Sequence, residues 1–193
     1  MIGKAKAISY GINAIRYIKG ESQHKKHPEL ITHVCDRHLP SGMDAMGIWL
    51  DMKMSTANRP NIKNTILHME ISPAKEHTRD FTSADWQELW EEFTEEFDKQ
   101  IIYDDKGNVV SPKTNITRSK HTVWLHEESD SGVPHLHAAV CRVDEDGDIN
   151  NVIKYTSAHN GQRKRWLASE AGKLPRLYAR QTSKRHQRTA WLY

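Results

Sequence analysis

At 193 residues, with 37% hydrophobic and 27% charged side chains, the chain is long enough to bury the core of one domain and does not have the composition of a disordered polymer. No run approaches the ~20 apolar residues of a membrane helix, residues 1–20 lack the apolar centre of a secretory signal, and Cys35 and Cys141 are too few for a disulfide framework, so a cytoplasmic protein with reduced, structural thiols is expected. The net charge of +3 is uneven: residues 161–193 carry nine Lys/Arg against Glu170 alone, or +8, which leaves residues 1–160 at −5 and points to a polyanion contacted mainly by the basic end.

A first helix is predicted over Gly11 to Ile18, where Ile12, Ile15 and Ile18 share one side, and a weaker helical pattern runs from Met43 to Met54. In Thr65–Ile71, Leu67, Met69 and Ile71 alternate with Ile66, His68 and Glu70, the pattern of a half-buried strand that stops at Ser72-Pro73. Trp86, Leu89, Trp90, Phe93 and Phe97 then recur at helical spacing behind Thr82 and Asp85, which match a capping box. This predicts a helix over Ser83–Lys99 with its aromatics in the core. Tyr103–Val110, centred on Asp105-Lys106-Gly107-Asn108, reads as a small hairpin. Two β-branched or apolar runs, His121–His126 and His135–Val143, flank the polar segment Glu127–Pro134 and read as a larger one. A weak helical pattern covers Arg163–Leu192, with Pro175 starting, breaking or kinking it. The order helix, helix, strand, helix, hairpin, strand, strand, helix predicts an α+β or two-layer α/β arrangement, a central antiparallel sheet covered by helices. Residues 1–160 form the expected domain, and 161–193 a basic helical extension, part of that domain or cut from a longer protein.

The histidines carry the chemistry. In His135-Leu136-His137 the two imidazoles lie two residues apart on a strand and project from one face. An antiparallel hairpin closed by the polar loop sets His126 opposite His135, so three imidazoles converge at one end of one sheet face. Three neutral imidazoles with open positions suit a catalytic divalent ion, whereas a structural zinc site takes a fourth protein ligand. A chain with 12 histidines produces one His-x-His pair readily, and it is the placement of His126 that gives the pair weight.

The segment from His126 through Pro134-His135-Leu136-His137-Ala138-Ala139-Val140 resembles the metal-binding histidine motif of plasmid relaxases and mobilisation nucleases, which belong to the HUH endonuclease superfamily. Glu128 stands where that motif usually has aspartate. Ala14-Ile15-Arg16-Tyr17-Ile18-Lys19-Gly20-Glu21 is similar to the family's first motif, an early helix that presents a tyrosine, and Ile66–Ser72 with Pro73-Ala74-Lys75-Glu76 to its middle motif. The resemblance covers roughly residues 1–165. It implies an HUH-like fold, Tyr17 as nucleophile with Tyr10 as its rival, and His126, His135 and His137 as ligands of Mn, Mg or Zn. It also implies nicking of single-stranded origin-of-transfer DNA through a 5′-phosphotyrosyl intermediate, with accessory mobilisation proteins as partners. Ser72 is a candidate for positioning the DNA backbone and Glu70 or Glu76 for a base. Arg16 and Lys19, with Lys4 and Lys6 near them, and Arg163, Lys164 and Arg165 are the cations placed to meet DNA, and Trp166, Tyr178 and Trp191 the aromatics interleaved with the basic end.

Three other readings compete. A rolling-circle replication initiator or single-tyrosine transposase would use a tyrosine after the histidines, such as Tyr155 or Tyr178. A cupin-like metal enzyme wants a glutamate where Val140, Cys141 and Arg142 stand. A non-enzymatic DNA-binding module would carry the histidines incidentally.

Overall fold

In a computed structural model, the described residues are 2–156 apart from positions 24, 74, 104, 105, 112, 113, 128–131 and 153. Along the chain the elements run β1 (Ile2–Ile8), α1 (Gly11–Ile18), β2 (Ile31–Arg37), α2 (Ala45–Ser55), β3 (Ile66–Ser72), the single-turn α3 (Lys75–Thr78), α4 (Ser83–Asp98), the short strands β4 (Ile102–Tyr103) and β5 (Val109–Ser111), β6 (Ser119–His126), β7 (His135–Asp144) and β8 (Lys154–Thr156). Six strands make one antiparallel sheet in the order β2-β6-β7-β3-β1-β8, with β4 and β5 paired apart from it. The α+β class read from the sequence is the one the chain adopts, and α1, α4 and both hairpins lie where they are predicted. Helix α2 starts two residues later than the Met43 expected, because the Asp44 carboxylate accepts the Gly47 N–H at 2.7 Å and caps it there.

Period-two alternation divides the core between the sheet faces. Leu67, Met69, Ile71, Val123, Leu125, Leu136 and Ala138 turn to one face and meet Trp86, Leu89, Trp90, Phe93 and Phe97 of α4. Full burial of side chains of this size is worth roughly 1.5–3 kcal/mol each. The first turn of α4 is fixed by the predicted capping box: Thr82 Oγ1 accepts the Asp85 N–H, and Asp85 Oδ2 accepts the Thr82 N–H at 2.8 Å. Ile66, Ala139, Cys141 and Val143 turn to the opposite face, against Ala14, Ile15 and Ile18 of α1 and Ile48 and Met52 of α2.

Three strands are additions to the predicted order. The inward residues of β1 are Gly3, Ala5 and Ala7, kept small because α4 lies close: a Cβ at Gly3 would sit 3.3 Å from the Phe93 ring. Such a strand carries no hydrophobic signature. On the sheet edge, β2 is largely exposed and its register with β6 shifts between His33 and Cys35, which breaks the alternation. The third, β8, is only three residues long and pairs with Lys4–Lys6. The expected basic extension 161–193 lies outside the described residues.

Candidate metal centre

Strands β6 and β7 pair with His126 directly opposite His135 and Trp124 opposite His137, which places all three imidazoles at one end of the face that α1 and α2 cover. One ligand atom from each lies within 4.8 Å of those of the other two. His126 and His137 are buried and His135 is half-buried.

The second nitrogen of each ring is anchored by a different part of the chain. Helix α1 ends in a Schellman turn, with Gly20 at φ +77°, its N–H donating to the Tyr17 carbonyl (3.2 Å) and the Glu21 N–H donating to the Arg16 carbonyl (2.8 Å). The Ile18 carbonyl in that last turn accepts His126 Nε2–H at 2.7 Å, so the lone pair of this ring is on Nδ1. His135 donates Nδ1–H to the Val133 carbonyl at 3.0 Å, which leaves the lone pair on Nε2. His137 Nδ1 meets His68 Nε2 of β3 at 2.9 Å, and its own Nε2 is buried with no hydrogen-bond partner.

A buried imidazole nitrogen with no partner is costly unless something fills its lone pair. With Nδ1–H of His137 donating to His68, that nitrogen is left as a buried, unpartnered ligand atom in a three-histidine cluster, and the residues present therefore fit a divalent ion. Three imidazoles, each held by an outer hydrogen bond, could hold a metal ion and offer it no fourth protein ligand among the described residues of the cluster. Burial, with His126, His68, His135 and the Lys25 ammonium adding to it, holds the pKa of His137 well below the usual imidazole value; burial lowers that of His68 as well. Both rings are neutral at physiological pH, the form that binds metal.

Tyr17 stands against this cluster, its ring centroid 5.8 Å from that of His126 and 5.6 Å from that of His137. The Lys25 ammonium sits 3.9 Å over the Tyr17 ring and 3.2 Å from His126 Nδ1. A cleft of about 800 Å³, lined by Asn13, Arg16, Glu21, Ser22 and Gln23, opens on the tyrosine. Tyr10 is at the N-cap, the opposite end of α1, and is 57% exposed, since the helix does not extend back past Gly11.

The remaining candidates fall differently. Arg16 is exposed beside the cleft, but Lys19 turns inward: its ammonium donates to the Met43 carbonyl (2.9 Å), pairs with Glu21 (3.3 Å) and lies 5.2 Å over the Trp124 ring. Lys4 pairs with Glu70 at 2.9 Å, and Ser72 ends β3 as expected. Glu128, Arg163, Lys164, Arg165, Trp166, Tyr178 and Trp191 lie outside the described residues, as do the side chains of Glu76 and Tyr155. Cys35 is held as a thiol, its pKa pushed up to about 12 by burial and by Glu91 and Asp36, and burial raises that of Cys141, so neither is a thiolate ligand or nucleophile. His68 and Lys25 are the two site residues that sequence reasoning missed. His68 alternated with the apolar residues of a correctly predicted strand, but only the pairing of β3 with β7 brings it to His137.

Among known protein families no model matches this chain, and no curated protein matches it in sequence. No helix of the described residues is long and apolar enough to cross a membrane.

Proposed function

We propose that the chain is a metal-dependent DNA-nicking transesterase of the relaxase type, with Tyr17 as nucleophile and His126, His135 and His137 as metal ligands. The observation that carries the reading is the contact of Tyr17 with two of three imidazoles that each offer a ligand atom within 4.8 Å of the others. A divalent ion held there supplies a Lewis acid for a non-bridging phosphate oxygen. Tyr17 supplies the attacking oxygen, and its phenol proton passes to water or to a carboxylate of the cleft such as Glu21. As the new oxygen–phosphorus bond forms, the bond to the 3′-oxygen breaks, leaving a 5′-phosphotyrosine and a 3′-hydroxyl. Arg16 and Lys25 surround the tyrosine with positive charge, which favours the approach of a phosphate. Because a phosphotyrosine keeps the energy of the phosphodiester, the reverse attack reseals the strand, as mobilisation of a plasmid requires.

Intact-mass analysis after incubation with single-stranded DNA and Mn²⁺ tests this. The native chain gains the mass of the fragment on the 3′ side of the nick, whose 5′-phosphate the tyrosine holds, Tyr17→Phe gains nothing while still binding DNA, and His135→Ala loses metal binding and cleavage together. An adduct that persists in Tyr17→Phe moves the nucleophile to a downstream tyrosine such as Tyr155 or Tyr178. Cleavage that persists in chelator refutes the metal mechanism, and DNA binding with no adduct under any condition leaves a non-enzymatic binding module.

A further inference from the structure

Helix α2 is apolar nearly all round. Ala45, Ile48 and Met52 are buried against the sheet, while Met46, Leu50 and Met54 form a second stripe at four-residue spacing that is 43%, 50% and 76% exposed. Beside that stripe a groove of about 670 Å³ runs between α2 and the segment leading into β3, with the half-buried Trp49 in its wall. Lys53, Arg59 and Lys63 line it and are all exposed, whereas no carboxylate lines it among the described residues. Asp51, the one acid of α2, is turned elsewhere and paired with Lys120. An apolar wall with an indole and three cations matches a ligand with flat apolar faces strung on a negative backbone. A purely apolar protein partner would not call for the cations, and an acidic peptide would not call for the exposed apolar stripe.

The groove ends beside the N-terminus of the helix that carries Tyr17. Trp49 packs directly on Gly11, the first residue of α1, and Ser9 lines the groove just before it. Tyr10 follows with its ring exposed, and Asn13 and Tyr17 succeed it at helical spacing, Asn13 and Tyr17 both lining the cleft at the other end. Six residues of helix, about 9 Å, separate Gly11 from Tyr17. That is about three nucleotides at the ~3.4 Å spacing of a stacked strand.

We infer that the groove at Trp49, Lys53, Arg59 and Lys63 binds single-stranded DNA a few nucleotides from the phosphate attacked at Tyr17, with bases stacked on Trp49 and Tyr10. The inference rests on the nicking function proposed above and extends it to a binding surface on α2. Tyr10, the rival nucleophile, becomes a stacking platform.

The test uses the full chain and fluorescently labelled oligothymidylate, read by anisotropy over a salt series, with 5-iododeoxyuridine cross-linking to locate the contact. Lys53→Ala/Lys63→Ala, two exposed positions that leave the core intact, is expected to reduce the slope of log affinity against log salt by about 1.4, at ~0.7 per cation on a single strand. Trp49→Phe, which keeps a ring over Gly11, retains most of the affinity, and Trp49→Ala loses on the order of tenfold. Cross-links map to α2 and Tyr10. An unchanged salt slope with cross-links elsewhere, or no binding of the oligonucleotide, overturns the groove. A concentration-dependent dimer dissolved by Leu50→Glu also overturns it, since the stripe is then a self-association face. The two readings fail separately: if only the groove is wrong, the Tyr17 adduct forms equally well in Lys53→Ala/Lys63→Ala. If only the nicking is wrong, the groove cross-links appear without any adduct.

Discussion

Acidification from neutrality to about pH 4 is expected to remove roughly 3 kcal/mol of folding stability through one side chain, His121. This ring lies under α4, 3% exposed, and both its nitrogens are used: Nε2 accepts the Trp90 indole N–H at 3.1 Å and Nδ1–H donates to the Ser119 carbonyl at 2.9 Å. A second ring proton would face the indole N–H, donor against donor. Burial, reinforced by the charges of Arg37 and His38 and opposed by the bond to Ser119, lowers its pKa from 6.5 to about 4. The folded value lies below the unfolded one, so between pH 6.5 and about 4 the unfolded chain takes up a proton that the native chain refuses. Stability is therefore level above that window and falls through it as the pH drops. At about 1.4 kcal/mol per unit the full loss is roughly 3 kcal/mol. His121→Gln preserves both hydrogen bonds, its amide oxygen accepting from Trp90 and its N–H donating to Ser119, and it does not titrate. Urea unfolding followed by tryptophan fluorescence, with chelator present and at a series of pH values, gives the two curves; their difference removes the slopes of every other group. Parallel curves through the window would refute the argument.

Two further perturbations probe the site and its support. His68→Ala is expected to weaken Mn²⁺ binding about 10- to 100-fold by calorimetry, as loss of an outer hydrogen bond to a ligand histidine does, and His68→Gln, whose amide oxygen still accepts from His137 Nδ1, to weaken it less; unchanged affinity in the alanine variant refutes the anchoring role. Gly11→Ala puts a Cβ 2.1 Å from the Trp49 ring and so forces α1 and α2 apart, at a cost of about 1–3 kcal/mol by chemical denaturation, and stability within about 0.5 kcal/mol of the native chain would show that the packing gives way freely.

What could be read in the sequence was whatever neighbouring residues encode. The His126–His135 pairing follows from two strands and the loop between them, and α4 announces itself through large aromatics at helical spacing behind a capping box. What could not be read depends on residues far apart in the chain. Gly3, Ala5 and Ala7 of β1 make sense only under the rings of α4, and the pairing of Lys4 with Glu70 follows only from the register of β1 with β3. His68 and Lys25 reach the histidine cluster through the β3–β7 pairing and through the turn after α1, neither of which leaves a local signature. The contacts of Lys19 are equally non-local: the same turn that delivers Lys25 folds Lys19 back onto Met43 and Trp124.

That turn also ties the two halves of the proposed chemistry together. His126 owes its tautomer to the Ile18 carbonyl, and Ile18 is the residue after Tyr17. Any displacement of α1 that carries the tyrosine off the histidines therefore also withdraws the acceptor that keeps the lone pair of His126 on Nδ1. Ile15 and Ile18, both fully buried against the sheet, resist such a displacement, while Tyr17 on the adjoining face stays 39% exposed and open to the cleft. A chain that placed its nucleophile and its ligands on independent loops would have to order each separately on binding DNA. Here the helix that carries Tyr17 also anchors His126, so under the proposed function tyrosine and metal cluster would be aligned before substrate arrives, the condition under which positioning lowers a barrier most.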